Sequence, residues 1–134
     1  AVHNNFVLMV GNFIDSQRSV CTAMITYTMD NSIIWAEVKN NTKINLYRIL
    51  QEAFQNINKH SQATSVNVTF KQSEVGICLQ ISDNGIGFNY SKKRNGIGLQ
   101  NMQSRINNSA GTMKVNARSG DGTELVFDVP VRTA

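Results

Sequence analysis

Three polar side chains of different chemistry follow one another at helical spacing: Glu52, Asn56 and Lys59. Residues three or four positions apart lie on the same side of a helix, so a carboxylate, an amide oxygen and an ammonium would form one row. Such a row could supply a base, a ligand for a hard cation and a contact for phosphate. The same spacing also fits an ordinary solvated polar pair followed by a lysine, which for this helix alone is the commoner case.

A second candidate site is the segment Asp83-Asn84-Gly85-Ile86-Gly87-Phe88, which follows an apolar run typical of a strand. By itself, Asp-Asn-Gly is typical of a plain turn, because Asp and Asn bond their own backbone and Gly accepts positive φ. The chain does not return as a strand, however. A polar, basic stretch over residues 89–95 leads to Gly96-Ile97-Gly98 and directly into a helical pattern. Glycines, a helix N-terminus and a basic segment together favour phosphate binding.

Three common kinds of phosphate-binding loop are excluded by the residues around the glycines. No glycine is followed by Lys-Ser or Lys-Thr, so the sequence contains no Walker A loop. The glycine pairs at 85/87 and 96/98 lack the third glycine of a dinucleotide fingerprint or a protein-kinase glycine loop. A different nucleotide-binding fold is therefore required.

The long helix that must carry Glu52 and Asn56 is the clearest element in the sequence. Apolar residues recur at helical spacing over residues 46–57, which predicts a helix capped by Asn41 or Thr42 that runs to about His60. On a helical wheel, Glu52 and Asn56 flank the apolar stripe instead of facing the core or open solvent. We therefore expect these two side chains to edge a cleft.

The remaining elements predict the fold class. Apolar periodicity predicts a helix over residues 4–17, strands over 21–28, 65–70, 75–82 and 123–129, a short apolar patch at 33–35 and a helix over 99–107. The last strand belongs to a closing hairpin and follows a turn at 119–122. Strand pairs interspersed with helices predict an α/β fold, a two-layer α/β sandwich with the helices on one face of a mixed sheet.

Composition narrows the class of protein. The chain has 134 residues, of which 41% are hydrophobic and 16% charged, so we expect one domain over residues 1–134. It contains no apolar run near the ~18 to 20 residues that cross a bilayer. Cys21 and Cys78 lie in runs that read as buried strands, which favours core thiols. The net charge of +4 suits a polyanion, but the basic residues are scattered, so we expect no nucleic-acid partner.

Four motifs in a fixed order resemble those of one family. Residues 46–60 resemble the N box of sensor histidine kinases, residues 83–88 their first glycine box and residues 96–105 their second, and Gly120-Asp121-Gly122-Thr123 resembles their closing Gly-x-Gly-Thr element. The resemblance is to the ATP-binding catalytic domain of these kinases, which has the Bergerat fold, with a motif-bearing core over residues 41–131. It is nearest to the nitrate-sensor-like subgroup, which has a short lid.

The resemblance implies ATP and Mg²⁺ as ligands and a role for each matching position. Asp83 would accept a hydrogen bond from the adenine 6-amino group, Thr123 would support that edge through water, and Asn56 would offer its amide oxygen to Mg²⁺. Lys59 would meet the phosphates, and His60 would pack against the end of the helix beside them. The implied pocket and phosphate wall are formed by Gly85, Ile86, Gly87, Phe88, Gly96, Gly98 and Leu99, with Lys92, Lys93 and Arg94 in the lid.

Glu52 is the position whose implied role is ambiguous. Many histidine kinases carry Asn there, whereas related ATPases such as DNA gyrase and mismatch-repair proteins carry a Glu that activates water. The nitrate-sensor-like subgroup of kinases also has Glu. We therefore assign Glu52 a catalytic role as a base or orienting group toward the incoming phosphoacceptor imidazole, with hydrolysis as a slow side reaction.

The resemblance also implies partners. The phosphoacceptor histidine is expected on a separate helical dimerisation domain outside this sequence, because neither His3 nor His60 has the acidic neighbour of such a histidine. A response regulator would then take the phosphoryl group. The fragment is expected to be monomeric and cytoplasmic, within a homodimeric kinase that can be anchored in the inner membrane.

A second class of function fits the same motifs. A stand-alone Bergerat-type ATPase, or a serine kinase that inhibits a sigma factor, would share the fold and the ATP site. A clamp-type ATPase needs a transducer domain with a catalytic lysine, which this sequence does not show. A helix with His-Asp or His-Glu upstream of Ala1 would decide for the histidine kinase.

Overall fold

The computed structural model describes residues 2–87, 98–117 and 120–131. Three helices lie in this part of the chain: α1 (Val2–Val20), α2 (Asn40–Asn56) and α3 (Leu99–Asn108). A 3₁₀ turn (Trp35–Glu37) precedes α2, and a π-helical turn (Ile57–Ser61) continues it. The strands are β1 (Met24–Met29), β2 (Ser65–Gln72), β3 (Gly76–Asp83), β4 (Thr112–Ala117) and β5 (Thr123–Pro130).

The five strands form one mixed sheet in the order β1-β2-β3-β5-β4. β1 and β2 are parallel, because the chain returns through α2, and the other neighbours are antiparallel. Alternate residues of β2 are buried, Val66, Val68 and Phe70, while Asn67 between them is exposed. One face of the sheet therefore carries the helices, and the predicted two-layer α/β sandwich is confirmed.

The core between the two layers is built on aromatic packing at one end. The rings of Phe6 and Trp35 have centroids 4.6 Å apart, and both contact Phe70 of β2. Phe13 packs edge-on against Phe54 of α2, with centroids 5.7 Å apart. The predicted first helix and the apolar patch before α2 are thus both part of the core.

The predicted bounds of three elements are wrong, and the first of these is the helix predicted over residues 4–17, which runs from Val2 to Val20. The cap of α2 is Lys39, which makes no side-chain cap bond, so neither Asn41 nor Thr42 has that role. The side chain of Asn41 bonds Asn108 of α3 instead. The strand predicted from residue 21 begins at Met24, and the N–H of Cys21 bonds the Gln17 carbonyl at 2.7 Å as part of the exit from α1. Of the two free cysteines, only Cys78 is in a strand and buried.

Asparagines join the start of α2 to the end of α3. The Asn45 Nδ2 atom donates to Ser109 Oγ at 2.7 Å and to Asn108 Oδ1 at 3.3 Å, and Asn41 Nδ2 donates to the same Asn108 oxygen at 2.9 Å. Asn45 is 7% exposed, whereas Asn41 is exposed. A buried amide that lacked these partners would be costly, so this contact fixes α3 against α2.

We expect Asn45→Ala to lower the free energy of unfolding by about 1–3 kcal/mol, because it leaves the buried Ser109 hydroxyl without its partner. Asn41→Ala is the matched control: it removes one bond to the same Asn108 oxygen at an exposed position, and should cost less than about 1 kcal/mol. Urea unfolding of both variants measures the difference. Equal losses of unfolding free energy in the two variants would mean that the attachment of α3 to α2 does not depend on the buried bond between Asn45 and Ser109.

Candidate functional site

The second half of α2 presents its polar residues as the helical wheel predicts. Ala53 and Phe54 are buried, Arg48 and Gln55 are exposed, and Glu52 and Asn56 are half-buried at the border between the two faces. The α-helix ends at Asn56. The carboxyl of Glu52 and the amide of Asn56 therefore lie one turn apart at the edge of the helical layer.

Glu52 lies directly against the glycine that precedes α3. A Cβ atom built on Gly98 would overlap Glu52 Oε1 and lie 3.0 Å from its Cδ. Gly98 also has φ +75°, a conformation that side chains disfavour, and its carbonyl accepts the first helical bond from Met102 at 3.1 Å. The Glu52 carboxyl thus meets the N-terminus of α3, where the helix dipole favours negative charge.

Asp83 occupies the end of β3 in the middle of the sheet. Its register partners are Val66 on β2 and Thr123 on β5. Its Oδ1 atom accepts a hydrogen bond of 2.8 Å from the Gly85 N–H. Burial raises the pKa of this carboxyl above its usual value, and the Gly85 bond offsets part of that rise. Among the described residues, the hydrogen bond from Gly85 occupies one oxygen of the partly desolvated Asp83 carboxylate. The second oxygen is left for a ligand.

The closing Gly-x-Gly-Thr element packs on the backbone of the first glycine box. The Gly120 N–H donates to the Ile86 carbonyl. A Cβ atom on Gly122, where φ is +83°, would overlap the carbonyl oxygen of Asp83. Thr123 pairs directly with Asp83 across β5 and β3. The two residues are therefore near enough to contact the same edge of one ligand.

Asn84 has a positioning role that the sequence did not reveal. Its Oδ1 atom accepts from the N–H groups of Thr64 and Ser65, both at 2.9 Å, and its Nδ2 atom donates to Thr64 Oγ1 at 2.8 Å. The side chain therefore fastens the first glycine box to the loop that leaves α2. An Asn in a turn is the only signal in the sequence, and it does not identify the partner.

The other predicted positions are less closely gathered. Lys59 and His60 are exposed within the π-helical turn, so the row predicted on an α-helix ends at Asn56. Leu99 is buried at the start of α3, Ile86 is exposed, and Gly87 has φ +63°. Phe88, Lys92, Lys93, Arg94 and Gly96 lie outside the described residues.

The side-chain oxygens at this site suit a cation that takes part of its ligands from a bound molecule. In the described ranges there is no group of three or more His, Cys, Asp or Glu side chains that could hold a metal ion. An amide oxygen such as that of Asn56 fits a hard cation that keeps water and takes phosphate oxygens.

The described helices include none that is long and apolar enough to cross a membrane.

Comparison with known proteins gives consistent matches. Residues 41–133 match the family model described as histidine kinase-, DNA gyrase B-, and HSP90-like ATPase. The chain is 34% identical over 94 residues to the signal transduction histidine-protein kinase/phosphatase DegS of Brevibacillus brevis, covering 69% of this chain and 24% of that protein. It is 32% identical over 119 residues to the sensor protein VraS of Staphylococcus epidermidis, covering 88% of this chain and 33% of that one.

A solved structure shares the fold. The ATP-binding domain of PrrB from Mycobacterium tuberculosis superposes with a TM-score of 0.66 at 22% identity, covering 89% of this chain and 88% of that domain. The chain spans only 24% and 33% of the length of the two curated relatives above.

Two glycines of the closing element allow a matched test of its packing. Alanine at Gly120 or Gly122 has the same cost of positive φ, about 1–2 kcal/mol, but among the described residues a Cβ on Gly120 meets nothing within 4 Å. We expect Gly122→Ala to destabilise the fold by at least about 1 kcal/mol more than Gly120→Ala, because its Cβ collides with Asp83. Chemical unfolding of the two variants measures this. A loss at Gly122 no larger than at Gly120 would show that the contact with the Asp83 carbonyl is loose.

Proposed function

The chain belongs to the family of histidine kinase-, DNA gyrase B- and HSP90-like ATPases, and from this membership we propose that residues 1–134 are the ATP-binding catalytic domain of a two-component sensor histidine kinase. The observation that carries the proposal is the contact of Glu52 with Gly98, which brings the N box against the second glycine box. The curated relatives are named as sensor proteins and histidine kinases, which favours this branch of a family that also includes gyrase and HSP90.

Base recognition is assigned to Asp83 and Thr123. An ionised carboxylate only accepts hydrogen bonds, so it pairs with an amino donor and not with a carbonyl. The free oxygen of Asp83 would accept from the adenine 6-amino group, and Thr123, its partner across the sheet, would support the same edge through water. The hydrogen bond from the Gly85 N–H and the packing of Gly122 against the Asp83 carbonyl would keep that oxygen in place.

Phosphate binding is assigned to the edge of α2 and the start of α3. The amide oxygen of Asn56 would be a Mg²⁺ ligand, and Lys59, with Lys93 and Arg94 of the lid, would neutralise phosphate charge. Bound Mg²⁺ supplies charge neutralisation and in-line alignment of the phosphates. The N-terminus of α3, beside the Glu52 carboxyl, would add backbone N–H groups that favour a phosphate.

Glu52 is proposed to act on the acceptor. Its carboxylate would orient the incoming imidazole and accept the proton from the ring nitrogen opposite the one that receives the phosphoryl group, so that the attacking nitrogen presents its lone pair. The contact with Gly98 restricts where this carboxylate can go. The same carboxylate could orient water, and robust ATP hydrolysis by the chain alone would favour the ATPase alternative.

The partners follow from this proposal. The domain would deliver the γ-phosphoryl group to a histidine on the helical dimerisation domain of the same kinase, for relay to a response regulator in the cytoplasm. This domain would be a monomer by itself, and the dimer of the full kinase would depend on the helical domain.

Phosphotransfer tests the proposal and the metal ligand together. With Mg²⁺, labelled ATP and the phosphoacceptor domain of the same kinase, we expect label on that domain's histidine and little release of phosphate. Asn56→Ala should lower transfer about ten- to a hundredfold by removing a metal ligand. Asn58→Ala is the control: it is exposed, two residues along, and bonds Gln17 instead. A failure of label to reach the histidine, or equal transfer by both variants, would contradict these assignments.

Asp83 should make the site select adenine over guanine. Guanine presents a carbonyl where adenine presents an amino group, and the unpaired acceptors cost ~1 to 3 kcal/mol or more, so ATP should bind roughly ten- to a hundredfold more tightly than GTP. Asp83→Asn, whose amide can also donate, should weaken ATP and reduce this ratio. Asp121→Asn, an exposed residue of the closing element, should change neither.

The same carboxyl sets a pH dependence. Because burial raises the pKa of Asp83, ATP affinity should be complete above that raised pKa and fall as the pH drops through it, at a higher pH than for an ordinary aspartate. Thermal shifts with ATP and GTP across pH report both effects, since a ligand of the folded state stabilises it. Equal shifts with the two nucleotides would remove Asp83 from the base site.

A further inference from the structure

Asp83 stands at the point where β3 leaves the sheet. It is the last residue of β3 in both ladders, paired with Val66 of β2 and with Thr123 of β5. The next N–H, that of Asn84, still donates to the Ser65 carbonyl at 3.2 Å, and the chain then bends at Gly85. The ends of regular elements open more readily than their middles. The two ladders alone therefore fix Asp83 less firmly than the residues before it.

The side chain of Asn84 takes the place of the strand residue that is missing after this point. Its Oδ1 atom accepts from the N–H groups of Thr64 and Ser65, both at 2.9 Å, and its Nδ2 atom donates to Thr64 Oγ1 at 2.8 Å. A side-chain amide carries the same kinds of acceptor and donor as a peptide group. The hydrogen bonding between β2 and β3 is thus continued by one step, beyond the last backbone pair.

The group that Asn84 binds is itself fixed in the sheet. The Thr64 carbonyl accepts a hydrogen bond of 2.9 Å from the Met24 N–H, directly before the parallel pairing of β1 and β2 begins at Met24 and Ser65. Thr64 is therefore bonded to β1 through its carbonyl and to Asn84 through its N–H and hydroxyl. The first glycine box is located relative to two strands through this one side chain.

The turn bond of Asp83 does not locate its carboxyl relative to the sheet. The bond from the Gly85 N–H joins residues two positions apart, so the donor and the acceptor move together when the turn moves. On the β5 side, Gly122 packs against the Asp83 carbonyl and limits this movement. On the β2 side, the limit is Asn84. Because Asn84 is exposed, water can replace its bonds at a small cost to the fold, but water does not restore the position of the turn.

We infer that Asn84 is a positioning residue for base selection, with Thr64 as its anchor. The inference rests on the proposed function, in which the second oxygen of Asp83 accepts from the adenine 6-amino group. A hydrogen bond weakens steeply when its angle or length departs from the optimum, so release of the turn on one side reduces the adenine bond. Guanine makes no such bond with Asp83. Asn84 therefore controls the affinity for ATP but not the affinity for GTP.

Calorimetric titration of the chain with ATP and GTP, both with Mg²⁺, tests this difference. Asn84→Ala should weaken ATP about tenfold and GTP less than about twofold, whereas a general loss of structure would weaken both nucleotides alike. Asn41→Ala is the matched control. It also removes the bond of an exposed asparagine to a distant partner, but at the start of α2, and should leave the ATP/GTP affinity ratio unchanged.

Two graded variants separate positioning from any effect of side-chain size. The carboxylate of Asn84→Asp can accept from both N–H groups and from the Thr64 hydroxyl, so at pH 8 this variant should keep the ATP/GTP ratio within about twofold of wild type. Its added charge acts equally on both nucleotides. Thr64→Val removes only the bond from Asn84 Nδ2 and should lower the ratio about two- to fourfold.

The outcomes that contradict the inference are distinct from those that contradict the proposed function. A wild-type ratio in Asn84→Ala, or a ratio in Asn84→Asp as low as that of Asn84→Ala, would overturn the role of Asn84 alone. If Asn84→Ala does not fold, an unchanged ratio in Thr64→Val has the same meaning. Equal affinity of the wild type for ATP and GTP would instead remove Asp83 from the base site, and this inference with it.

Discussion

The burial of one side of α2 determines where every polar group of the site is placed. Leu46, Ile49 and Leu50 are fully buried between the sheet and the helical layer, and each contributes about 1.5–3 kcal/mol relative to exposure. Rotation of the helix by one residue would turn this stripe by 100° and move Glu52 or Asn56 toward the core. The cost of that rotation keeps the carboxyl and the amide at the border of the layer, so the geometry of the site follows from the geometry of the core.

A second constraint fixes α3 in relation to that helix. Asn45 near the start of α2 bonds Ser109 after the end of α3, while Glu52 near the end of α2 contacts Gly98 before the start of α3. The two helices are therefore antiparallel and are held at both ends. At the other side of the site, Asn84 and Gly122 hold the end of β3. The two glycine boxes thus each join a rigid element, which is what a site that positions phosphates needs.

The sequence predicted those features that depend on local periodicity. The apolar repeat over 46–57 gave the face of α2 on which Glu52 and Asn56 lie, and alternation gave the strands within a few residues. It failed where a side chain chooses between local and distant partners. Asn41 has the chemistry of a helix cap, yet it bonds Asn108, 67 positions away. Asn84 bonds the loop at Thr64, and no local pattern identifies either partner.

Asp83 shows why two interpretations of a motif need not exclude each other. The Asx bond to Gly85 is the one that a plain Asp-Asn-Gly turn makes. A solvated turn would leave the carboxyl in water, but here Asp83 lies on the same side of β3 as the buried residues Leu79 and Ile81, and burial raises its pKa. The turn orients the side chain, and its position on the buried side of the strand partly removes it from water. When one oxygen of a partly desolvated carboxylate is already bonded, a hydrogen-bond donor at the second oxygen stabilises it most. Burial of Asp83 therefore lowers the stability of the unliganded fold, but it increases the selectivity of the site for a ligand that donates this bond.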